Sequence, residues 1–556
     1  MLARRWHEEL NAIHNTKVPG AGPSPFGSDP HRTRHDPPIL IGGDTARSRA
    51  DDTLERPSRR DGRSHMRRFL LLLAGPALAL LVFVLMRSFG GQPAAMAGLV
   101  AWMALWWISE AVPIPVTSIL PLILFPLLGI DPVPGTAAHY GKEIIFLFLG
   151  GFIIALGIER CGLHRRIALG IMARVGSSSE RLVLGVMVTC ALLSMWINST
   201  AATLVMLPIA LSLVDDEDAP SDARKRLTVP LLLGVAYGAT VGGMATPVGT
   251  PPNLVFIALW KQLYPDQASV GFGQWMATGL PLAIIFLAVA WLLLTRIVFK
   301  LKGDSLGGAD AVRERLKALG RASRDEWLAG SVFALVALLW MTGDSLRQGD
   351  NVLFTGWRDR AAALKEVSDA AVAVMGAVLL FLLPASKRMR RPHDAYATHE
   401  EGRSLMSWTF AEQRVPWGVL LLIGGGFALA AGVESTGLSN IIGEAMAGLG
   451  SLPMMLLIGA TTLIVCLLSE LGSNTATASL TLPILAAMAE RWGMDAQSIL
   501  WPAALGASLG FMLPVASPMQ TIVFGTGRIP MRQMVKTGVW MDLIGVLLLM
   551  LFFGWR

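Results

Sequence analysis

The chain has 556 residues, of which 53% are hydrophobic and only 16% are charged, and its mean hydropathy is positive. A soluble domain is about a quarter charged, and many apolar stretches here approach or exceed the ~18–20 residues that span a bilayer. Composition therefore excludes an ordinary soluble protein and predicts an all-α polytopic membrane protein. The net charge of +7 does not indicate a nucleic-acid partner, because the basic residues fall in loops between the apolar segments. The three cysteines lie in or beside apolar segments and predict neither a disulfide framework nor a metal site.

Residues 1–65 differ from the rest of the chain, being rich in Pro, Gly and charge without apolar periodicity. We expect them to form a disordered cytoplasmic tail. Met66 opens "MRRFLLLLAGPALALLVFVLM", a short basic flank followed by a span. This segment is too long for a secretory signal and has no clear cleavage site. The sequence thus predicts a natural start at Met66 and a membrane domain over 66–556.

Eleven spans are predicted along this domain, two of them broken by polar residues, Pro or Gly. They cover 69–87, 94–112, 116–130, 143–160, 228–260 (broken), 276–298, 327–342, 368–384, 415–433, 497–524 (broken) and 536–553.

Two further apolar segments, 183–213 and 452–488, each contain a polar triplet and could cross the membrane once or form a re-entrant hairpin. Basic loops favour the cytoplasmic side. With the N-terminus inside, two hairpins place the basic loops that follow the fourth, sixth and eighth spans inside. The loop 434–451, which has no Lys or Arg, then lies outside. Single spans would place several basic loops outside, so the hairpins are favoured.

The two halves of the chain repeat each other. "FIIALGIERCGL" (152–163) resembles "FALAAGVESTGL" (427–438), and Glu159 aligns with Glu434 at a separation of 275 positions. The triplets keep this separation, and "GATVGGMATPVGTPPNLVF" (238–256) matches "GASLGFMLPVASPMQTIVF" (506–524). Three matched blocks in one order indicate duplication. Because the first hairpin is expected inside and the second outside, the repeats, about 94–298 and 327–556, are predicted to be inverted.

Inverted repeats with broken helices are typical of secondary transporters, whose sites lie where discontinuous helices meet near the midplane. Unpaired backbone groups at a hairpin tip or helix break are tolerated at membrane depth only around a polar cavity. Asn, Ser and Thr add donors for an anion and oxygen ligands for a cation such as Na⁺. Taken singly, each triplet is more often a source of interhelical hydrogen bonds. Their duplication in matching order favours a binding site.

At these residues the chain resembles the divalent anion:sodium symporter family, from about residue 94 to the C-terminus. The resemblance rests on "WWISEAVPIPVT", "FLGGFIIALGIERCGLHRRIAL", "MWINSTAATLVMLPIA", "VGTPPNLVF", "SNTATASLTLPI" and "FMLPVASPMQTIVF". It implies a homodimer in the inner (plasma) membrane that works as an elevator, with a transport domain sliding against a fixed scaffold. It also implies Na⁺-driven uptake of dicarboxylates or tricarboxylates, or of sulfate in some branches.

The resemblance also implies roles for individual residues. The first sodium site would comprise Ser194, Asn198, Ser199 and Gly249. The second sodium site would comprise Ser469, Gly472, Asn474 and Ala516. Substrate carboxylates would meet the two triplets and two turns, that is Asn198, Ser199, Thr200, Ser473, Asn474, Thr475, Thr250, Pro251, Ser517 and Pro518.

Two departures from the family pattern bear on the site. The first triplet reads Asn-Ser-Thr where the family has Ser-Asn-Thr, so either the side-chain roles exchange or the first sodium site is altered. The second turn reads Ser517-Pro518-Met519-Gln520 where the family usually has Thr-Pro-Pro-Asn. Gln520 keeps the amide one methylene further out, and Met519 lies where neighbours tune substrate size.

The sequence therefore predicts a secondary active transporter that couples Na⁺ entry to import of a divalent organic anion of the succinate or malate type. A sulfate or other oxyanion carrier, a proton-coupled carrier and a non-transporting membrane sensor remain alternatives. An enzyme is not expected, since no Ser-His-acid set, metal cluster or phosphate loop stands out.

Overall fold

A computed structural model describes residues 59–175, 178–214, 221–267, 270–301, 309–348, 351–386, 403–445, 448 and 451–555. The chain divides into Met1–Gly62 and Arg63–Arg556. The first unit is described only at its last residues, so most of the predicted disordered tail lies outside the described residues.

The first six helices precede or open the first repeat. They are α1 (Arg59–Met86), α2 (Gly91–Ser109), α3 (Ile114–Ser118), α4 (Pro121–Leu127), α5 (Val133–Ala138) and α6 (Glu143–Cys161). The first repeat continues as α7 (Leu163–Val175), α8 (Ser179–Ser194), α9 (Ser199–Val214), α10 (Ser221–Gly243), α11 (Pro251–Leu263) and α12 (Phe272–Leu292). A π-helical turn, Leu293–Val298, extends α12.

A connecting region and the second repeat follow. The connecting elements are α13 (Ala309–Ala318), α14 (Arg324–Met341), β1 (Leu346–Gln348), β2 (Asn351–Phe354), α15 (Ala362–Lys365), α16 (Asp369–Leu382) and α17 (Trp408–Arg414). The second repeat comprises α18 (Trp417–Ser435), α19 (Leu438–Ala445), α20 (Met454–Glu470), α21 (Asn474–Arg491), α22 (Ala496–Gly506), α23 (Pro518–Phe524) and α24 (Met531–Gly554).

The two repeats have the same order of elements. In each, a long helix is followed by a short one, a pair of helices joined by a few residues, a broken helix and a final long helix. The joined pairs are α8 with α9 and α20 with α21, and the helices of each pair pack against each other. The sequence repeat is therefore a structural repeat, and both triplets lie at the junctions of such pairs.

Proline explains why the broken helices resume where they do. Pro251 and Pro518 each occupy the first position of a helix, where the missing N–H costs nothing and φ is already helical. The residues before them, Thr250 and Ser517, are extended, as steric clash with the proline ring requires. The break before Pro251 contains a 3-10 turn at Pro247–Gly249. The first break, residues 244–250, and the second break, residues 507–517, both fall inside the predicted broken spans.

The repeats share one core rather than two. Tyr237 of α10 meets Phe511 of the second break edge-to-face, with ring centroids 5.0 Å apart. Trp275 of α12 stacks on Trp501 of α22 at 4.3 Å, and Phe256 of α11 also contacts Trp501. Aromatic pairs of this kind add to the free energy of apolar burial. Each broken helix is thereby held against the other repeat.

Five helical stretches among the described residues are long and apolar enough to cross a membrane. They are Arg68–Phe89, Val133–Cys161, Phe272–Val298, Trp417–Ser435 and Met531–Gly554. Four shorter apolar helical stretches are Ile114–Leu127, Ser199–Val214, Asp369–Leu382 and Met454–Glu470. The all-helical, polytopic prediction is confirmed, whereas the count of eleven spans stays a prediction.

The structure differs from the sequence-based expectation at three places. Helix α1 begins at Arg59, inside the segment expected to be disordered, because the apolar turns that follow can extend a helix into residues such as Arg that favour it. The span expected over 116–130 is two helices, because Pro121 cannot donate the hydrogen bond that a continuous helix needs. Strands β1 and β2 form a short antiparallel ladder outside the predicted spans.

Candidate functional site

The tip of the first helix pair holds a cluster of oxygens. Ser194 ends α8 and Ser199 begins α9, and their Oγ atoms are 2.7 Å apart. Ser194 Oγ donates to the carbonyl of Ala239 at 2.5 Å, and Ser199 Oγ donates to the carbonyl of Gly249 at 3.1 Å. Both serines are buried. The hairpin tip is thus joined to both sides of the first break.

The tip of the second helix pair holds a matching cluster. Ser469 Oγ lies 2.8 Å from Asn474 Oδ1 and donates to the carbonyl of Ala507 at 2.6 Å. Gly510 and Ala516 border the cluster, since a methyl group added at Gly510 would lie 3.6 Å from Asn474 Oδ1 and 3.1 Å from Ala516 Cβ. Each member is separated from its first-repeat counterpart by 267, 268 or 275 positions. The two clusters are therefore equivalent sites of one duplicated unit.

The exchanged triplet is explained by this equivalence. Ser199 occupies the position of Asn474 and takes its place beside the first serine of the tip. Asn198 turns away, and its Oδ1 accepts the N–H of Thr200 at 2.8 Å. Ser473, at the position of Asn198, likewise caps its helix by accepting the N–H of Ala476. The first position of each triplet caps the helix and the second faces the cluster, whichever residue occupies it. The first cluster therefore contains a hydroxyl where the second contains an amide oxygen.

The oxygen atoms of the second cluster are suitable ligands for a hard cation. Ser469 has one hydroxyl hydrogen but lies within hydrogen-bond distance of two acceptors, Asn474 Oδ1 and the Ala507 carbonyl. This surplus of oxygen lone pairs is what a hard cation with oxygen ligands, such as Na⁺, would require. Among the described residues no group of three His, Cys, Asp or Glu side chains could hold a transition metal.

The other residues predicted to bind sodium lie around the same clusters. The Gly249 carbonyl belongs to the first cluster through Ser199. Gly472 lies in the turn between α20 and α21, where its N–H donates to the Ser469 carbonyl at 3.4 Å. Ala516 lies beside Gly510 in the second break. Asn198 is the exception, because its side-chain oxygen caps α9 instead of joining the first cluster.

The elements that carry the residues predicted to bind substrate pack in pairs across the two repeats. Helix α9 packs against α23, and α21 packs against α11, so each hairpin meets the broken helix of the other repeat. Thr200 Oγ1 lies 4.0 Å from the sulfur of Met519, which follows Pro518. Thr475 and Thr250 are buried, and Ser517 Oγ accepts the N–H of Gln520 at 3.4 Å. Asn198 also lines a cavity with Trp196, Val248 and Leu254.

Two buried carboxyl groups of the second repeat are absent from the sequence-based site. Both oxygens of Glu470 accept backbone hydrogen bonds, from Met512 at 2.8 Å and from Leu513 at 2.9 Å. Asp542 of α24 accepts the N–H of Phe511 at 3.4 Å. Their presence inside apolar segments is a signal in the sequence, since an ionisable residue at membrane depth is a functional hypothesis by default.

The amides that follow the two turns also behave differently. Asn253 Nδ2 donates to the carbonyls of Gly243 at 3.0 Å and of Thr246 at 2.8 Å, and so closes the first break. Gln520 occupies the equivalent position in the second repeat and is fully buried. Neither atom of its amide group has a hydrogen-bond partner among the described residues. Among the described residues, Gln520 therefore does not repeat the contacts of Asn253.

These observations define a class of protein. Two helical repeats, each with a polar hairpin tip facing a broken helix, are the architecture of a secondary transporter. A family model, the sodium:sulfate symporter transmembrane region, matches residues 66–556, and the chain belongs to this family. It is accordingly a multi-pass membrane transporter and not an enzyme, as the sequence predicts.

Relatives agree with this assignment, and a solved structure has a similar fold. The chain is 35% identical over 489 residues to the sodium-dependent dicarboxylate transporter SdcS of Staphylococcus saprophyticus, with 86% of this chain and 89% of the relative covered. The same identity and coverage hold for SdcS of Staphylococcus aureus strain NCTC 8325. The crystal structure of the Alcanivorax borkumensis YdaH transporter has a similar fold, with TM-score 0.52 and 18% identity over 76% of this chain and 86% of that one.

Proposed function

We propose that the chain couples the entry of Na⁺ to the import of a divalent organic anion, a dicarboxylate of the succinate or malate type. The observation that carries this proposal is the pair of equivalent oxygen clusters at the two hairpin tips. The curated relatives at 35% identity are described as sodium-dependent dicarboxylate transporters, which supports both the ion and the substrate class.

The first cation would bind among Ser194, Ser199 and the Gly249 carbonyl, with Asn198 at the rim. The second would bind among Ser469, Asn474 and the turns at Gly472 and Ala516. The proposal is supported by the surplus of acceptor oxygens at Ser469. It is also supported by the burial of Ser194 and Ser469, which keeps bulk water from competing for the same oxygens.

The substrate would lie between the triplets and the two turns. Its binding residues would be Asn198, Ser199, Thr200, Thr250, Pro251, Ser473, Asn474, Thr475, Ser517 and Pro518. Neither the triplet segments nor the turns contain Lys or Arg. A dianion would therefore depend on neutral donors, helix N-termini and the co-bound cations. Because coupling between two ligands is reciprocal, Na⁺ would tighten substrate binding and substrate would tighten Na⁺ binding by the same factor.

The movement would be that of an elevator in a homodimer of the plasma membrane, with the hairpins and broken helices as the moving unit. Support comes from the packing of each hairpin on the broken helix of the other repeat, which would let the four elements cross as one body. The hairpins would be re-entrant and the repeats inverted, with the N-terminus inside and the C-terminus outside.

Uptake into proteoliposomes tests this function. Radiolabelled succinate should accumulate when Na⁺ is outside, and should not accumulate with K⁺ or with a pH gradient alone. Unlabelled sulfate and citrate as competitors would define the anion class. Accumulation driven by a pH gradient without Na⁺ would indicate a proton-coupled carrier. Substrate binding without uptake would indicate a sensor.

A further inference from the structure

The two oxygen clusters are equivalent in position but not in chemistry. In the first, the group beside Ser194 is the hydroxyl of Ser199. In the second, the group beside Ser469 is the amide oxygen of Asn474. A hydroxyl must direct its hydrogen away from a cation, and Ser199 directs its hydrogen to the Gly249 carbonyl, which is itself a cluster oxygen. An amide oxygen has no hydrogen and offers both lone pairs.

The two helix breaks also differ in which of their backbone groups are bonded by side chains. In the first break, side-chain N–H groups occupy the carbonyls: Asn253 binds those of Gly243 and Thr246, and Trp275 Nε1 donates to that of Met244 at 3.0 Å. The Gly243 carbonyl lies close to the first cluster, since a Cβ atom added at Gly249 would meet it. The Asn253 bond thus takes a lone pair of an oxygen close to this cluster.

In the second break the polarity is reversed. Carboxyl oxygens of Glu470 and Asp542 occupy the N–H groups of residues 511, 512 and 513. Both acids are at most 3% exposed. The first repeat has Met195 at the position of Glu470. Aligning Thr278-Gly279 with Thr537-Gly538, 259 positions apart, places Ala283 opposite Asp542. The buried carboxyl groups of Glu470 and Asp542 therefore bond the backbone of the second break, and the aligned positions of the first repeat carry no carboxyl group.

We infer that the two cation sites are unequal, and that the cluster of the second repeat binds its cation first and more tightly. This inference rests on the proposed sodium coupling. Asn474 offers the second cluster an amide oxygen with both lone pairs, whereas Ser199 offers the first cluster a hydroxyl whose hydrogen is directed to the Gly249 carbonyl. Backbone N–H groups of the second break are bonded by the side-chain oxygens of Glu470, so they are not free to bond the oxygens of the cluster. The cluster at Ser194 and Ser199 is then the weaker site and sets the Na⁺ concentration at which substrate binding becomes strong.

Melting of the purified full-length protein without substrate tests the inference, because each occupied site raises the melting temperature in proportion to the logarithm of free cation above its dissociation constant. Na⁺ would be titrated against choline at constant ionic strength. We expect two bends in the curve, separated by roughly tenfold in Na⁺ concentration, the usual effect of one stronger contact to a charged group. Asn474→Ser should move the lower bend to higher Na⁺, and Ser199→Asn should move the upper bend to lower Na⁺.

Two further variants complete the design. Thr481→Ala removes a hydroxyl from the same helix as Asn474. In the described part of the chain this hydroxyl bonds the Thr477 carbonyl at 2.8 Å, so the variant should leave both bends in place. Glu470→Gln should move the lower bend to higher Na⁺; if it fails to fold, the Asn474 and Ser199 pair still decides the question. A single bend, or an Asn474→Ser effect on the upper bend, would overturn the inequality while leaving sodium binding intact. A wild-type curve identical in Na⁺ and choline would overturn the proposed coupling as well.

Discussion

Thr200 Oγ1 at the start of α9 lies 4.0 Å from the sulfur of Met519 in the first turn of α23, although the two residues are 319 positions apart. The contact joins the triplet of one repeat, which we propose to bind substrate, to the turn of the other. It places Met519 where a substrate that meets Thr200 would also meet the thioether.

Replacing Met519 by Ala should therefore widen the space beside Thr200. We expect citrate to compete with radiolabelled succinate more strongly in Met519→Ala than in the wild type, because a larger anion gains room and a smaller one loses a packing contact. Val515→Ala is a suitable control, since Val515 lies in the break that leads into α23 but is 72% exposed. An unchanged ratio of citrate to succinate inhibition would contradict this role.

Removing the buried hydroxyl of Thr475 tests the second triplet. Thr475→Ala should weaken equilibrium binding of succinate at saturating Na⁺ by roughly an order of magnitude or less, since a neutral hydrogen bond contributes about 0.5–1.5 kcal/mol net. The melting temperature in Na⁺ without substrate should change little, because Asn474 rather than Thr475 faces the cluster. Equal affinities of variant and wild type would remove Thr475 from the site.

Gly243 tests whether the first cluster needs its open space. A Cβ atom at this position would lie 2.8 Å from Ser199 Oγ and 3.1 Å from the Gly249 carbonyl, so Gly243→Ala should exclude a cation there. We expect Gly243→Ala to lose the upper bend of the Na⁺ melting curve. Overpacking should also lower the free energy of unfolding by about 1–3 kcal/mol. Gly170→Ala, whose Cβ would meet only Arg174 at 3.6 Å, serves as the control. If the melting curve of Gly243→Ala kept both bends, a cation site at the first cluster would be contradicted.

Glu159 lies outside the clusters and pairs with Arg414 at 3.0 Å, with both side chains partly exposed. We expect Glu159→Gln to retain the Na⁺ dependence of uptake and to lose no more than about 1 kcal/mol of stability, as for other exposed ion pairs. Its repeat counterpart, Glu434→Gln, should behave in the same way. Folded protein whose uptake no longer depends on Na⁺ would show that either acid carries the ion.

Membrane orientation is open to cysteine labelling in a background without Cys161, Cys190 and Cys466. A cysteine at Ser451 should react with an impermeant reagent in intact cells, whereas one at Ser404 should react only after lysis. The reasoning is that basic loops stay on the cytoplasmic side and that the loop 434–451 has no Lys or Arg. The reverse pattern would argue for single spans in place of the re-entrant hairpins.

The sequence by itself determined the class of protein, the repeat and the places where helices break. These features depend on local chemistry: apolar length sets the spans, Pro251 and Pro518 set the restart of the broken helices, and duplication leaves matching residues at constant separations. The positions of the triplets at both hairpin tips followed from the same local signals.

Only the tertiary structure decided which atoms face each other. Ser194 meets the carbonyl of Ala239, 45 residues away, and Ser469 meets that of Ala507, 38 residues away. The exchange of roles between Asn198 and Ser199 likewise depends on where α9 starts, because the residue at the helix cap bonds its own backbone and the next residue faces the cluster. Backbone carbonyls have no residue-specific signature, so their place in a site is set by the packing of the helices that carry them.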